Sequence, residues 1–195
     1  RRTGRALRTL SACNEALVRA TDEEALLRDM CRAIVEVGGY RLAWVGWVEH
    51  DAAKSVRPAA HAGYDAGYLE TIQLSWADAE HGHGPTGVAI RSGEPQVARD
   101  IQSDPRYAPW HAQALKRGYA SNLALPLKDE DGEVFAVLNV YASEPDAFGQ
   151  EEIGLLRELA SDLAFGLRTL RTRTEHNRLQ EEYSKSGERL KAALI

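Results

Sequence analysis

SNLALPLKDEDGEVFAVLNVY, residues 121–141, is the stretch on which the reading of the fold turns. Residues 121–127 and 133–141 are rich in apolar side chains and flank Asp131-Gly132, a dipeptide suited to the positive φ angles of a tight hairpin. Two antiparallel strands follow from that pattern. Upstream, residues 40–49 (YRLAWVGWVE) are aromatic and β-branched, too short for a typical helix, and apolar on both faces, which places this strand in the middle of a sheet. A polar turn at residues 51–54 leads to another strand at 55–62, where Pro58 cannot donate to a ladder and calls for a sheet edge. Residues 69–76 read as a further strand after a helical turn, and 95–99 as a brief one.

Around these strands the periodicity changes from two to 3.6. Residues 4–20 place Leu7, Leu10, Cys13, Leu17 and Val18 at helical spacing. Thr21-Asp22-Glu23-Glu24 reads as a capping box, with Thr21 as the cap of a helix that carries Leu26, Leu27, Met30, Ile34 and Val35 and stops at Gly38-Gly39. Residues 82–85 form a loop and 86–91 a short helix ended by Ser92-Gly93. Asp104-Pro105 pairs a helix cap with proline at the first helical position, predicting a helix to about Lys116. The last helix starts near Phe148, and Ile153, Leu156, Ala160, Leu163, Leu167 and Leu170 follow a 3-4 alternation along it. Beyond Leu170 the pattern thins into RTRTEHNR and resumes weakly at Leu179, Tyr183, Leu190 and Leu194. The sum is an α+β fold with a central antiparallel sheet flanked by helices, and long helices at both termini.

Bulk properties exclude several functions. The chain has 195 residues, 44% of them apolar, enough for one full core. A formal charge of -5 gives no basic field for a phosphate backbone, so nucleic acid is not an expected partner. No apolar run has the length of a membrane span and no signal peptide is present, so no direct membrane contact and a cytoplasmic location are expected. The opening Arg1-Arg2 and the closing Leu194-Ile195 suggest a piece of a longer protein. Cys13 and Cys31, the two cysteines, lack the spacing of a disulfide framework or zinc site and read as packed, reduced residues.

Several segments, in order, resemble the GAF family of bacterial signalling proteins, the sensor histidine kinase and cyclic di-GMP enzyme type. They are residues 39–46 (GYRLAWVG), 84–93 (GPTGVAIRSG), Asp100-Ile101 with Asp104-Pro105, 118–127 (GYASNLALPL) and Asp146-Ala147-Phe148, and the likeness runs from about Glu15 to Leu170. It implies a sensory domain at 21–170, an N-terminal signalling or dimerisation helix at 1–20 and a C-terminal linker helix at 171–195. It also implies a cavity between the sheet and the connecting segments. Sheet-side candidates are Trp44, Ser121, Leu123 and Asn139; lid-side candidates are Trp76, Thr86, Ile90, Asp100, Tyr107, Trp110 and His111. Trp44, Ile90 and Leu123 also read simply as core, whereas Trp76, Trp110 and Asp100 are loop residues whose placement needs a reason.

The chemistries of the family place different demands on these residues. Cyclic-nucleotide members use an Asn-Lys, Phe, Asp-Glu motif; Asn139, Phe148 and Glu151-Glu152 match in place, but Val140 replaces the lysine and removes the bracing ion pair. Bilin attachment and methionine-sulfoxide reduction need thiols in the lid region, which has none. His81, His83 and His111 could serve a haem or metal, although a solvated loop made mobile by Gly82 and Gly84 is the simpler reading. The expectation is a non-catalytic input domain that binds an unidentified small molecule and signals through a parallel homodimer to an output domain in the same chain. The alternatives are a dimerisation module without ligand and a haem or metal sensor.

Overall fold

In the computed structural model, which describes residues 2–193, the hairpin forms as β4 (Ser121–Lys128) and β5 (Val134–Ala142). The connection is organised by Asp129, whose carboxylate accepts from the backbone N–H of Asp131 and of Glu133 at 2.9 and 3.0 Å, with Gly132 at φ 83°. With β1 (Leu42–Val48), β2 (Val56–Gly63) and β3 (Gln96–Ala98), these strands make one antiparallel sheet in the order β2-β1-β5-β4-β3. β1 is interior, and β2 lies at the edge that Pro58 requires.

Strand alternation sorts the sheet into two faces. Ala43, Val45, Leu123, Leu125, Leu127, Leu138 and Val140 face a helical layer of α1 (Arg2–Arg19), α2 (Glu23–Glu36) and α6 (Gln150–Ala193). Arg5 meets Glu152, and Leu17 meets Gly166, so α1 and the first part of α6 run parallel, side by side. The 3-4 seam of α6 is spent here: Leu156, Ala160, Leu163 and Leu167 are all buried in this core, with Ile153 and Leu170 packed at its margin. A different α6 face, bearing Phe165, Leu179, Tyr183 and Leu190, is exposed.

The opposite face carries Leu42, Trp44, Ala124, Val137, Asn139 and Tyr141 and is covered by short elements: α3 (Tyr68–Thr71), α4 (Pro85–Ser92) and α5 (His111–Lys116), with 3-10 turns at Glu80–Gly82 and Pro105–Tyr107. Three local readings change here and at α2. The strand expected at 69–76 is replaced by α3 and an extended run that meets the start of β2 through an isolated Ser55–Ser75 bridge and the Val56 N–H bond to the Leu74 carbonyl; Asp65 accepts from the N–H groups of Gly67 and Leu69 and turns the chain into a helix instead. The helix expected from Asp104 to Lys116 is broken, because Pro109 lacks an N–H, its ring would collide with the Pro105 carbonyl, and α5 begins only after Trp110. At α2 the cap is Asp22, accepting from the Ala25 N–H at 2.8 Å, while Thr21 merely donates to the Asp22 carboxylate.

Candidate functional site

The lid is fastened by two arginines. Arg91 donates to the carbonyls of Trp76, Ala77 and Gly82, holding the 76–82 loop against α4. Arg117, 7% exposed, donates to the carbonyls of Asp65, Ala66 and Gln113 and packs its guanidinium over the Tyr68 ring. Under this lid an aromatic cluster forms, with Tyr68, Tyr119 and Tyr141 in mutual contact and Tyr107 edge-on to Trp110. Tyr68, Tyr107, Trp110, Tyr141 and the opening residues of α4 line a cavity of about 10 Å³, room for one water at most.

What distinguishes this place is unmet hydrogen bonding. Trp44 Nε1 and Asn139 Nδ2 belong to fully buried residues and have no partner. Residues 44 and 139 are directly paired across β1 and β5 on the lid-facing side. The Thr86 hydroxyl donates to Asn139 Oδ1 at 2.8 Å, which leaves the amide nitrogen as the open end. Helix α4 begins at Pro85 with no side-chain cap, and Gly84, Pro85, Thr86 and Gly87 at its start belong to the cavity lining. Asn122 Oδ1, two positions along the same sheet face, is a further unpartnered atom. Leaving a buried donor unpaired costs about 1–3 kcal/mol, so two adjacent ones need an explanation.

Burial raises the pKa of Tyr68, Tyr107 and Tyr141, so all three keep their protons and can donate. For Tyr141 that effect is opposed by Trp44, Tyr107 and Tyr68, whose polar hydrogens approach its oxygen without Trp44 completing a bond. No charged side chain is among the lining residues. An α4 N-terminus offers an anion up to about 2 kcal/mol, less than the several kcal/mol per ion that desolvating a charge costs. The chemistry favoured is acceptance of hydrogen bonds by a neutral group.

The sequence-derived candidates divide. Trp44, Thr86, Asn139, Tyr107 and Trp110 come together here, and Ile90 is buried in the same apolar cluster. Ser121 and Leu123 do not: they alternate onto the helical side, where Ser121 donates to the Glu144 carbonyl and Leu123 is core. Trp76 sits at the far end of the sheet, donating to the Glu49 carbonyl with Lys54 over its ring. The Asp100 carboxylate is consumed by its own turn through Gln102 N–H and Ser103 Oγ. His111 contacts the Gln102 carbonyl at 2.8 Å, His83 pairs with Asp78 and His81 lies edge-on to Trp110. These histidines do not converge, and among the described residues no group of three or more potential ligands could hold a metal. Tyr68 and Tyr141 escaped the sequence reading, although Tyr141 stands two residues from Asn139 on one strand and thus on the same face.

A larger open groove of about 280 Å³ lies on the other side, between α6 and the unpaired half of β4. Two of its basic residues are engaged, Arg157 with Glu94 and Arg168 with the Lys128 carbonyl, so it offers less to a ligand than the aromatic site. Cys13 and Cys31 are also on the helical side, buried, with thiols pushed up to about 12 by desolvation. Among the described residues no helix is long and apolar enough to cross a membrane.

Comparison with known proteins gives a consistent answer. A match to the GAF domain family covers residues 20–168. Free methionine-R-sulfoxide reductase from Neisseria meningitidis, solved with its substrate, superposes with a TM-score of 0.71 at 20% identity, covering 86% of this chain and 91% of that one. The GAF domain of a phosphoenolpyruvate-protein phosphotransferase from Coxiella burnetii gives 0.71 at 20% identity, covering 89% and 98%. The A. aeolicus nlh2 GAF domain in an inactive state gives 0.65 at 16% identity, covering 87% and 99%. No curated protein matches the chain.

Proposed function

Because the chain belongs to the GAF domain family, we propose that it is a non-catalytic sensory module that binds a small molecule between the sheet and the lid and relays occupancy along its terminal helices. The observation that carries this reading is the pair of buried, unpartnered donors, Trp44 Nε1 and Asn139 Nδ2, facing an aromatic enclosure. Catalysis of the reductase kind needs an accessible thiol beside the substrate. Here both thiols lie across the sheet, buried and held protonated at neutral pH, which supports a binding role.

The relay would use β5 as its backbone. Asn139 takes the Thr86 hydroxyl on the lid side, and its neighbours Leu138 and Val140 share the opposite core with Leu156, Leu163 and Leu167 of α6. A shift of α4 on binding thus has a packed route to the output helix. A parallel homodimer would form through the exposed α6 stripe of Phe165, Thr169, Thr172, His176, Leu179 and Tyr183, which recur at 3-4 spacing, with Leu190 seven residues further on. The output would be a kinase or cyclic di-GMP domain of the kind joined to such modules in bacterial signalling proteins, following residues 171–195 as linker; Leu194 and Ile195 lie outside the described residues.

The second reading is a dimerisation module without ligand, favoured by the closed cavity of about 10 Å³. Native mass spectrometry of the purified full chain separates the two. A retained small molecule supports the sensory reading. An empty dimer whose unfolding temperature no metabolite mixture raises would refute it.

A further inference from the structure

On the reading that the sheet-and-lid site binds a ligand, its residues also specify the ligand's chemistry. We propose that the ligand is an uncharged, ring-sized molecule with a carbonyl-type oxygen, which displaces the Trp110 indole and accepts from Trp44 Nε1 and Asn139 Nδ2. The donors fix the polarity. An indole N–H can only donate, and the Thr86 hydroxyl occupies the accepting end of the Asn139 amide. Residues 44 and 139 stand directly opposite on neighbouring strands, which puts both side chains on the same face of the sheet. The start of α4, which has no side-chain cap and lines the cavity, adds to the same preference for an acceptor.

Charge and size follow from the lining. No cation is placed to pair with an anion: the Arg117 guanidinium nearby is committed to three carbonyls. The tyrosines at the site stay protonated, so a carboxylate would meet donors but no counter-charge. The space for a ring is filled by the protein itself. The Trp110 indole lies against Gly84, where a Cβ would come within 2.5 Å of its ring. Its N–H is held by a 3.2 Å bond to the carbonyl of exposed Gln73. Because Trp110 directly precedes the short helix α5, a flat ligand can take the indole's place by swinging one side chain and one helical turn.

The test titrates the full chain with benzamide, benzoate and toluene, three probes of similar shape, by calorimetry. Benzamide is expected to bind, with benzoate and toluene at least about tenfold weaker, the worth of one lost bond of this kind. Trp44→Phe and Asn139→Leu should each weaken benzamide by about tenfold with the circular dichroism spectrum unchanged. Trp110→Ala, which vacates the ring space, should strengthen it. Benzoate binding as tightly as benzamide overturns the assignment of charge, and toluene binding as tightly overturns the role of the donors. No binding of any probe to wild type or Trp110→Ala leaves the donors to a buried water and ends the proposal. Native mass spectrometry keeps the two conclusions apart: a retained anion would sink this ligand class yet preserve the sensory reading, whereas an empty site that also takes no probe removes both.

Discussion

Replacing Arg5 by methionine removes the cation that faces a buried carboxylate at the start of α6. Glu152 is 2% exposed; its Oε1 accepts from Arg5 Nε, Arg5 Nη2 and, at 2.5 Å, the Tyr40 hydroxyl, while Oε2 has no partner. Arg5 also pairs with Glu144 and lies over the Tyr40 ring, which stacks on Phe148, so α1, β1 and α6 are joined at one point. Breaking a buried pair by removing one partner costs about 3–5 kcal/mol. Arg5 keeps some solvent contact, with 15% of its side chain exposed, so we expect the lower end of that range, about 3 kcal/mol. At about 2–4 °C per kcal/mol for a chain of this size, the unfolding temperature should fall by roughly 6–12 °C. Glu152→Leu should cost about 2 kcal/mol, since the Arg5 charge keeps Glu144 while its Nε and Nη2 and the Tyr40 hydroxyl lose an acceptor. The combination Arg5→Met, Glu152→Leu, Tyr40→Phe removes every group left stranded by the single changes and should recover most of the loss. Urea unfolding at one fixed protein concentration gives the three energies. If the combined variant loses the sum of its parts within about 0.5 kcal/mol, the groups do not act as a coupled unit and the reasoning fails.

Further outcomes follow from other parts of the molecule. Asp22→Ala should lower the unfolding midpoint while Thr21→Ala leaves it nearly unchanged, because the cap bond runs from Ala25 N–H to Asp22; equal effects would restore Thr21 as the cap. Each thiol holds its proton up to about 12 when folded against an ordinary value of about 9, so the unfolded chain ionises first. Stability is then complete below about pH 9 and falls as pH rises, and urea midpoints at pH 8, 9 and 10 should trace that loss, more shallowly in a Cys13→Ala, Cys31→Ala variant. Leu163→Glu with Leu167→Glu should unfold the domain, whereas Phe165→Glu with Leu179→Glu should leave a folded monomer by light scattering; a stable dimer carrying the second pair would remove the exposed stripe from the interface.

The hairpin at residues 121–141, the interior place of the strand at 40–49 and the edge place of the strand carrying Pro58 were legible where apolar pattern, hairpin chemistry and proline agreed. Errors arose where a local signal met a stronger neighbour. Asp104-Pro105 does open a helical turn, but Pro109 closes it four residues on. In 69–76, the apolar Leu69, Ile72 and Leu74 belong to the lid's cluster rather than to a ladder, a distinction that apolar content alone does not make. Of the candidate site residues, Thr86, Tyr107 and Trp110 line the cavity, and Trp44 and Asn139 stand on the lid-facing side of the sheet, Asn139 bonded to Thr86. Ser121 and Leu123 failed by one step of strand register, since Asn122 and Ala124 hold the lid-facing positions. Nothing local marks a side chain as buried without a partner; that property of Trp44 and Asn139 exists only once lid and sheet are assembled.

The edges of the sheet bear on how copies of this protein can meet. A sheet that ends in open ladder groups is a template for copies of itself. At one margin β2 carries Pro58 opposite a register shift at Val45/Gly46, and it ends at Gly63, whose φ of 99° turns the chain away. At the other, β3 spans three residues, and the half of β4 it leaves uncovered contains Pro126, while Arg168 donates to the Lys128 carbonyl beyond it. Neither margin presents an unbroken run of donors and acceptors to an incoming strand. Strand pairing between copies, which tends toward fibres, is thereby disfavoured at both margins.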